Sequence, residues 1–215
     1  MAIKKTAAKA ATVKAPATKA APAKAAAKSA IAKTSAPGKS LASPKAAAKQ
    51  PILVGILTGS PNDLPTVVKV RDTLSELGIA SEIVVASAHR TPDKVTAYIE
   101  RAHREGVQVL IGCAGMAAHL AGVIAGHTRL PVIGLPLSGG VVSGLDALLS
   151  TVQMPPGVPV ATVAVDGSKN AAMLAARILA LKYPEINQAL EKAAMKERAR
   201  YEQSADEALA KLSAR

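Results

Sequence analysis

The chain has 215 residues and a formal net charge of +12, from 27 Lys and Arg against 15 Asp and Glu. Residues 1–50 hold 11 Lys, no Arg and no acidic residue, which leaves 16 basic and 15 acidic residues for 51–215, so a basic segment precedes a nearly neutral domain. The single Cys113 excludes an internal disulfide and a cysteine-rich zinc site, no apolar run approaches the roughly 18 residues of a membrane span, and three Tyr with no Phe or Trp leave no platform for stacking nucleic-acid bases.

Residues 1–50 contain 20 Ala beside the lysines, and Pro16, Pro22, Pro37 and Pro44 interrupt each stretch that alanine would make helical. Too little apolar bulk is present to offset the entropy of ordering, so a disordered leader is expected. The lysines break every candidate secretory core, and the absence of Arg argues against an organellar presequence. Two readings remain. The leader is a solubilising segment, or it binds polyanions non-specifically through counterion release. A nucleic-acid-binding protein with a non-catalytic scaffold is the alternative of a different class, and the neutral domain argues against it.

From Pro51 the texture changes. Ile52 to Leu57 reads as a strand buried on both faces, and Thr58-Gly59-Ser60-Pro61-Asn62-Asp63 as the turn that ends it. Leu64 to Leu77 has helical spacing, stopped by Gly78. Glu82 to Ala86 is a second strand, and a helix capped by Thr91 and started by Pro92 runs to about Glu105. Val107 to Ile111, Leu130 to Leu135 and Val158 to Val165 are further strands, with helices over Ala117 to His127, Leu145 to Val152 and Lys169 to Leu181. Pro184 opens a charged helix to about Leu212 with Ile186, Leu190, Ala194 and Tyr201 along one stripe. Strands alternating with helices predict an α/β three-layer sandwich around a five-stranded parallel sheet, flavodoxin- or Rossmann-like. The organisation expected is a leader over 1–50, a catalytic domain over 51–183 and a C-terminal helix over 184–215.

In such sheets ligands bind beyond the carboxyl ends of the strands. Three loops there carry chemistry. Gly59 to Asp63 offers a hydroxyl, a carboxylate and backbone N–H groups at a helix start, where phosphate is favoured, although Ser60 and Asp63 are also ordinary caps. Ser87-Ala88-His89-Arg90-Thr91-Pro92 sets a proton-exchanging imidazole beside a phosphate-holding guanidinium. Gly112-Cys113-Ala114-Gly115-Met116-Ala117-Ala118-His119-Leu120 has so little bulk before His119 that a ligand can approach its backbone, or a helix can pack tightly on it. Cys113, after a buried strand, reads as a small core residue, and His103 and His127 as surface residues.

Taken together, Gly59-Ser60-x-x-Asp63, the histidine loop, Gly115-x-Ala117-Ala118-His119-Leu120, Leu130-Pro131-Val132-Ile133-Gly134 and Ser150-x-Val152-Gln153-Met154-Pro155 occur in the order seen in one family. The domain resembles N5-carboxyaminoimidazole ribonucleotide mutase, also called the catalytic subunit of phosphoribosylaminoimidazole carboxylase, over about residues 52–183. Departures are Asn62 where Ser is common, Leu64 for Trp, Met116 for Gly and Ala121 for Pro.

That resemblance implies a purine-biosynthesis enzyme moving a carboxylate from N5 to C4 of an aminoimidazole ribonucleotide, without metal, biotin or ATP. It implies that His89 is the general acid/base and that Ser60, Asp63 and Arg90 bind the ribose 5-phosphate part. Asn62, Ser87, Ala88, Gly115, Met116, Ala117 and His119 would line the pocket. His119 would either orient the substrate carboxylate or serve a structural role, and the backbone amides of Gly112 to Met116 would hold carbon dioxide. A cytoplasmic homo-octamer with no membrane association is implied. Direct carboxylation of the aminoimidazole ribonucleotide by carbon dioxide is the alternative of the same chemistry; Arg90 and Ala117 to Leu120 favour the mutase.

Overall fold

The computed structural model describes residues 50–213, so the expected disordered leader lies, apart from Gln50, outside the described residues. Five strands form one parallel sheet: β1 (Val54–Thr58), β2 (Ser81–Val85), β3 (Val109–Gly115), β4 (Val132–Leu137) and β5 (Ala161–Thr162), in the order β2-β1-β3-β4-β5. The helices are α1 (Leu64–Glu76), α2 (Pro92–Glu105), α3 (Leu120–His127), α4 (Leu145–Val152), α5 (Ser168–Ala180) and α6 (Pro184–Ser213). This is the α/β sandwich expected, in its flavodoxin-like order.

Alternation along the strands builds two cores. Val54, Ile56, Val109, Ile111, Ile133 and Leu135 face α1 and α5, and Ile186 at the start of α6 closes the same cluster. Leu57, Leu110 and Val132 face the opposite way, against α2 and α3. Each such branched side chain withdrawn from water stabilises the fold by about 1.5–3 kcal/mol before entropy is counted. On the α2/α3 side, Gly112 lets α3 approach: a Cβ there would lie 2.8 Å from the Ala121 Cα. Small size is what that position requires.

Several boundaries differ from the sequence reading. β3 runs through Gly112 to Gly115, residues read above as part of a strand-end loop, because β4 pairs alongside as far as Gly115↔Leu137. The helix read from Ala117 starts only at Leu120. β5 shrinks to two residues pairing Ile133↔Ala161 and Gly134↔Thr162, since it is an edge strand and Pro159 lacks a backbone donor. Thr91 stands at the N-cap of α2 without capping it through its side chain. Along α6 the stripe was misplaced beyond its start. Ile186, Leu190 and Ala193 pack on the domain, whereas Ala194 is exposed and Tyr201 is 75% exposed. Among the described residues, no helix is long and apolar enough to cross a membrane.

Candidate active site

The strand order explains where a site can form. β1 stops at Thr58, opposite Cys113, while β3 continues to Gly115 with only β4 beside it. The edge of Ala114 and Gly115 that would face a longer β1 therefore opens into a cleft. β2 and β3 flank β1, so the loops that follow them converge over its end, at the point where the chain changes direction across the sheet. A cavity of about 530 Å³ lies there, within the range of sites that take a nucleotide-sized molecule.

The loop after β1 folds as a single 3₁₀ turn, Pro61–Asp63. Ser60 Oγ accepts from the Asn62 N–H at 3.2 Å, the Asp63 N–H reaches the Ser60 carbonyl, and the Leu64 N–H reaches the Pro61 carbonyl. Pro61 and Pro65 have no N–H to give. The N–H groups of Asn62, Asp63 and Leu64 are thus used within the turn, which leaves those of Gly59 and Ser60 as the backbone donors of this loop for a phosphate. Beside them the cavity lining offers side-chain chemistry: the Ser60 hydroxyl, the Asn62 amide and the Asp63 carboxylate. Thr58, buried at the end of β1, donates its hydroxyl to Asp63 Oδ2 at 3.2 Å and fixes that carboxylate. Burial raises the Asp63 pKa, and the Thr58 hydrogen bond and the Arg90 charge offset this only in part.

The histidine loop is closed by a reciprocal pair. The Ser87 N–H donates to Thr91 Oγ1 at 2.9 Å, and the Thr91 N–H donates to the Ser87 carbonyl at 2.9 Å. Between them, Ser87 Oγ accepts from the N–H groups of His89 and Arg90, at 3.4 and 3.2 Å. A serine turning its hydroxyl onto the following backbone is a common loop device, and here it presents both functional side chains outward. Thr91 is occupied by this closure, which is why its hydroxyl does not cap α2. The Arg90 guanidinium donates to the Gly59 carbonyl at 2.6 Å, tying the second loop to the first.

From the third loop, His119 points back across the cleft. Its Nδ1 lies 2.8 Å from His89 Nε2, and the rings meet edge-on with centroids 4.9 Å apart. One imidazole donates to the other, so the two share a proton position. Met116 adopts φ 55°, a left-handed conformation that accounts for glycine being common there. Ala114, Gly115, Met116 and Ala117 line the cavity, but Gly112 and Cys113 do not. Both are paired on each side, to Leu57 and Thr58 and to Gly134 and Leu135, so the expectation that their amides face a ligand is corrected. Cys113 is fully buried, and desolvation pushes its thiol pKa up, consistent with a core residue. His103 and His127 are exposed and remote from the cavity lining.

Of the residues expected to contact a ligand, Ser60, Asn62, Asp63, Ser87, Ala88, His89, Arg90, Gly115, Met116, Ala117 and His119 line this one cavity, and Gly112 and Cys113 do not. The sequence reading missed a fourth wall, Ser138-Gly139-Gly140 after β4. The Ser138 N–H donates to Asp166 Oδ1 at 3.0 Å, so the connection between β5 and α5 holds this loop in place. The same strand-end rule applied to β4 would have found it. Among the described residues, no group of three His, Cys, Asp or Glu side chains is arranged to hold a metal ion.

Residues 53–200 match the family model described as AIR carboxylase. The N5-carboxyaminoimidazole ribonucleotide mutase of Pyrococcus horikoshii is 54% identical over 138 residues, 64% of this chain and 78% of that protein. The protein of the same name from Thermotoga maritima is 53% identical over 133 residues, covering 62% and 78%. Among solved structures, the crystal structure of Treponema denticola PurE superposes with a TM-score of 0.65 at 31% identity, covering 73% of this chain and 97% of that one.

Proposed function

The chain belongs to the AIR carboxylase family, and from that premise we propose that it converts 5-carboxyaminoimidazole ribonucleotide into its 4-carboxy isomer, as an N5-carboxyaminoimidazole ribonucleotide mutase of purine biosynthesis. It is an isomerase. The observation that carries the reading is the convergence of His89, Arg90, Ser60 and Asp63 on one cavity in a chain that is 54% identical over 138 residues to a named mutase.

The geometry supports a role for each residue. Arg90, held against Gly59, presents a fixed cation to the 5-phosphate, and the Ser60 hydroxyl and Asn62 amide donate to the same group. Asp63, oriented by Thr58, accepts from ribose hydroxyls. In the transfer, the bond from N5 to the carboxyl carbon breaks, the electron pair stays on N5, and N5 takes a proton from His89. The carbon dioxide released stays in the cavity. C4, made electron-rich by the ring and its amino group, attacks the carbon dioxide carbon. The C4 proton then returns to His89, and no net proton or electron is left over. One group serving as acid and then as base suits an imidazole, whose ordinary pKa lies near neutrality. His119 reaches His89 rather than a core, so we assign it the positioning of that ring.

The test is conversion of synthetic 5-carboxyaminoimidazole ribonucleotide by the full chain, with and without bicarbonate. Turnover independent of bicarbonate is expected. Product formed only from the uncarboxylated ribonucleotide plus bicarbonate would replace transfer by direct carboxylation.

We also propose a cytoplasmic homo-octamer. Supporting this are an apolar face left exposed beside the site, Val141, Val142, Leu145, Leu149 and Val152, and Tyr201, Leu209 and Leu212 exposed along α6. Light scattering should then read eight times the chain mass. For residues 1–50, non-specific contact with polyanions is the property their charge supports.

A further inference from the structure

We propose that Met116 is a gate that retains the carbon dioxide released and recaptured during transfer, an inference that rests on the mutase reading above. The position is costly for a side chain. Met116 sits at φ 55°, where a residue with a Cβ is disfavoured relative to the right-handed region. Core packing does not account for it, because the residue is 61% exposed. Strain without compensating burial, at the wall of a reaction cavity, points to use there.

Its surroundings specify the use. Met116 directly follows Ala114 and Gly115, whose free edge lines the cleft above β1, and it precedes His119, which contacts His89 at 2.8 Å. Facing it is the Ser138-Gly139-Gly140 wall, with Gly140 at φ 64°. A Cβ on Gly140 would lie 3.6 Å from Met116 Cγ, so the thioether chain reaches across to that turn. Met116 and the Gly-Gly turn therefore form the two sides of one opening next to the histidine pair.

The intermediate is small, neutral and without hydrogen-bond donors, so polar contacts hold it weakly and an apolar cover is the effective barrier to its loss. An unbranched, flexible thioether can lie over the opening while a nucleotide is bound and swing aside for exchange. Escape leaves free aminoimidazole ribonucleotide behind, whereas recapture gives product. Met116 would thus set the partition between the two without touching the proton transfers.

The experiment compares wild-type full chain with Met116→Gly and Met116→Leu, using unlabelled 5-carboxyaminoimidazole ribonucleotide in ¹³C-bicarbonate. Mass spectrometry reads label in the 4-carboxy product, and chromatography reads free aminoimidazole ribonucleotide. In Met116→Gly, label incorporation and free ribonucleotide per substrate consumed should rise about tenfold, about 1.4 kcal/mol in the partition. Met116→Leu, which keeps apolar bulk, should stay close to wild type. Wild-type turnover with equal label in Met116→Gly overturns the gate and leaves the mutase reading standing. Loss of assembled mass in Met116→Gly with unchanged label assigns the residue to a subunit contact and also overturns it. A wild type that consumes no substrate sinks the mutase reading itself, and the gate with it.

Discussion

Asp63 is pulled in two directions. Burial at the cavity wall favours its neutral form, and the Thr58 hydroxyl and Arg90 favour the carboxylate, with burial the larger effect. A carboxyl whose folded pKa is raised makes its stabilising contribution below the free-chain value and loses it as pH rises through the folded value. At neutral pH, ionised Asp63 is therefore a cost to the fold. Asp63→Asn should melt at or above the wild-type temperature at pH 7, and thermal scans in acid should show that margin shrinking. The same change removes the charged acceptor proposed for the ribose. KM should rise about 10- to 100-fold, corresponding to ~1.5–3 kcal/mol for a hydrogen bond to a charged group. His89→Asn should behave oppositely. We expect kcat to fall by about 10²–10⁴, the usual contribution of a general acid/base, with nucleotide affinity by calorimetry nearly unchanged. Retained turnover would remove His89 from the proposed role. The types and spacing of these residues were legible in the chain, because Ser87, His89, Arg90 and Thr91 form one local loop. The His89–His119 contact was not, since it joins positions that only the sheet brings together.

At the level of elements, hydrophobic runs located every strand, but strand ends depended on neighbours. Gly112 to Gly115 reads as part of a strand-end loop by composition and is a strand because β4 extends far enough to pair with it. Val158 to Val165 reads as a full strand and keeps two residues, because it has β4 on one side only and a proline before it. Gly112 illustrates the energetic consequence. Adding a methyl group would press on the Ala121 backbone at 2.8 Å, and backbone cannot rotate away as a side-chain tip can. Gly112→Ala should destabilise the domain by about 1–3 kcal/mol in urea unfolding, through overpacking between β3 and α3. A loss well below that would mean that α3 shifts outward without cost.

For the whole molecule, charge and chemistry occupy different parts of the chain. Every cavity residue lies between Gly59 and Gly140, and 11 of the lysines lie in residues 1–50. Removing residues 1–49 should leave kcat and KM unchanged in steady-state assays. It should also abolish retention on a DNA column at low salt, a retention that the full chain should itself lose near 0.2 M salt, about the range where counterion release stops favouring binding. Retention that survives the truncation would move the polyanion contact into the domain.

The sequence by itself determined the alternation of strands and helices, the two apolar faces of the sheet and the chemical character of three strand-end loops. These are local properties, set by periodicity, turn formers and side-chain type. Only the tertiary structure decided that β1 would end short of β3, that the loops after β2 and β3 would meet above it, and that Ser138 to Gly140 would complete the wall. The reason is that strand order and pairing length are settled by contacts between residues far apart in the chain. The net charge of +12 is a sum over the chain, whereas the cavity sets one arginine beside two imidazoles and a partly desolvated carboxylate.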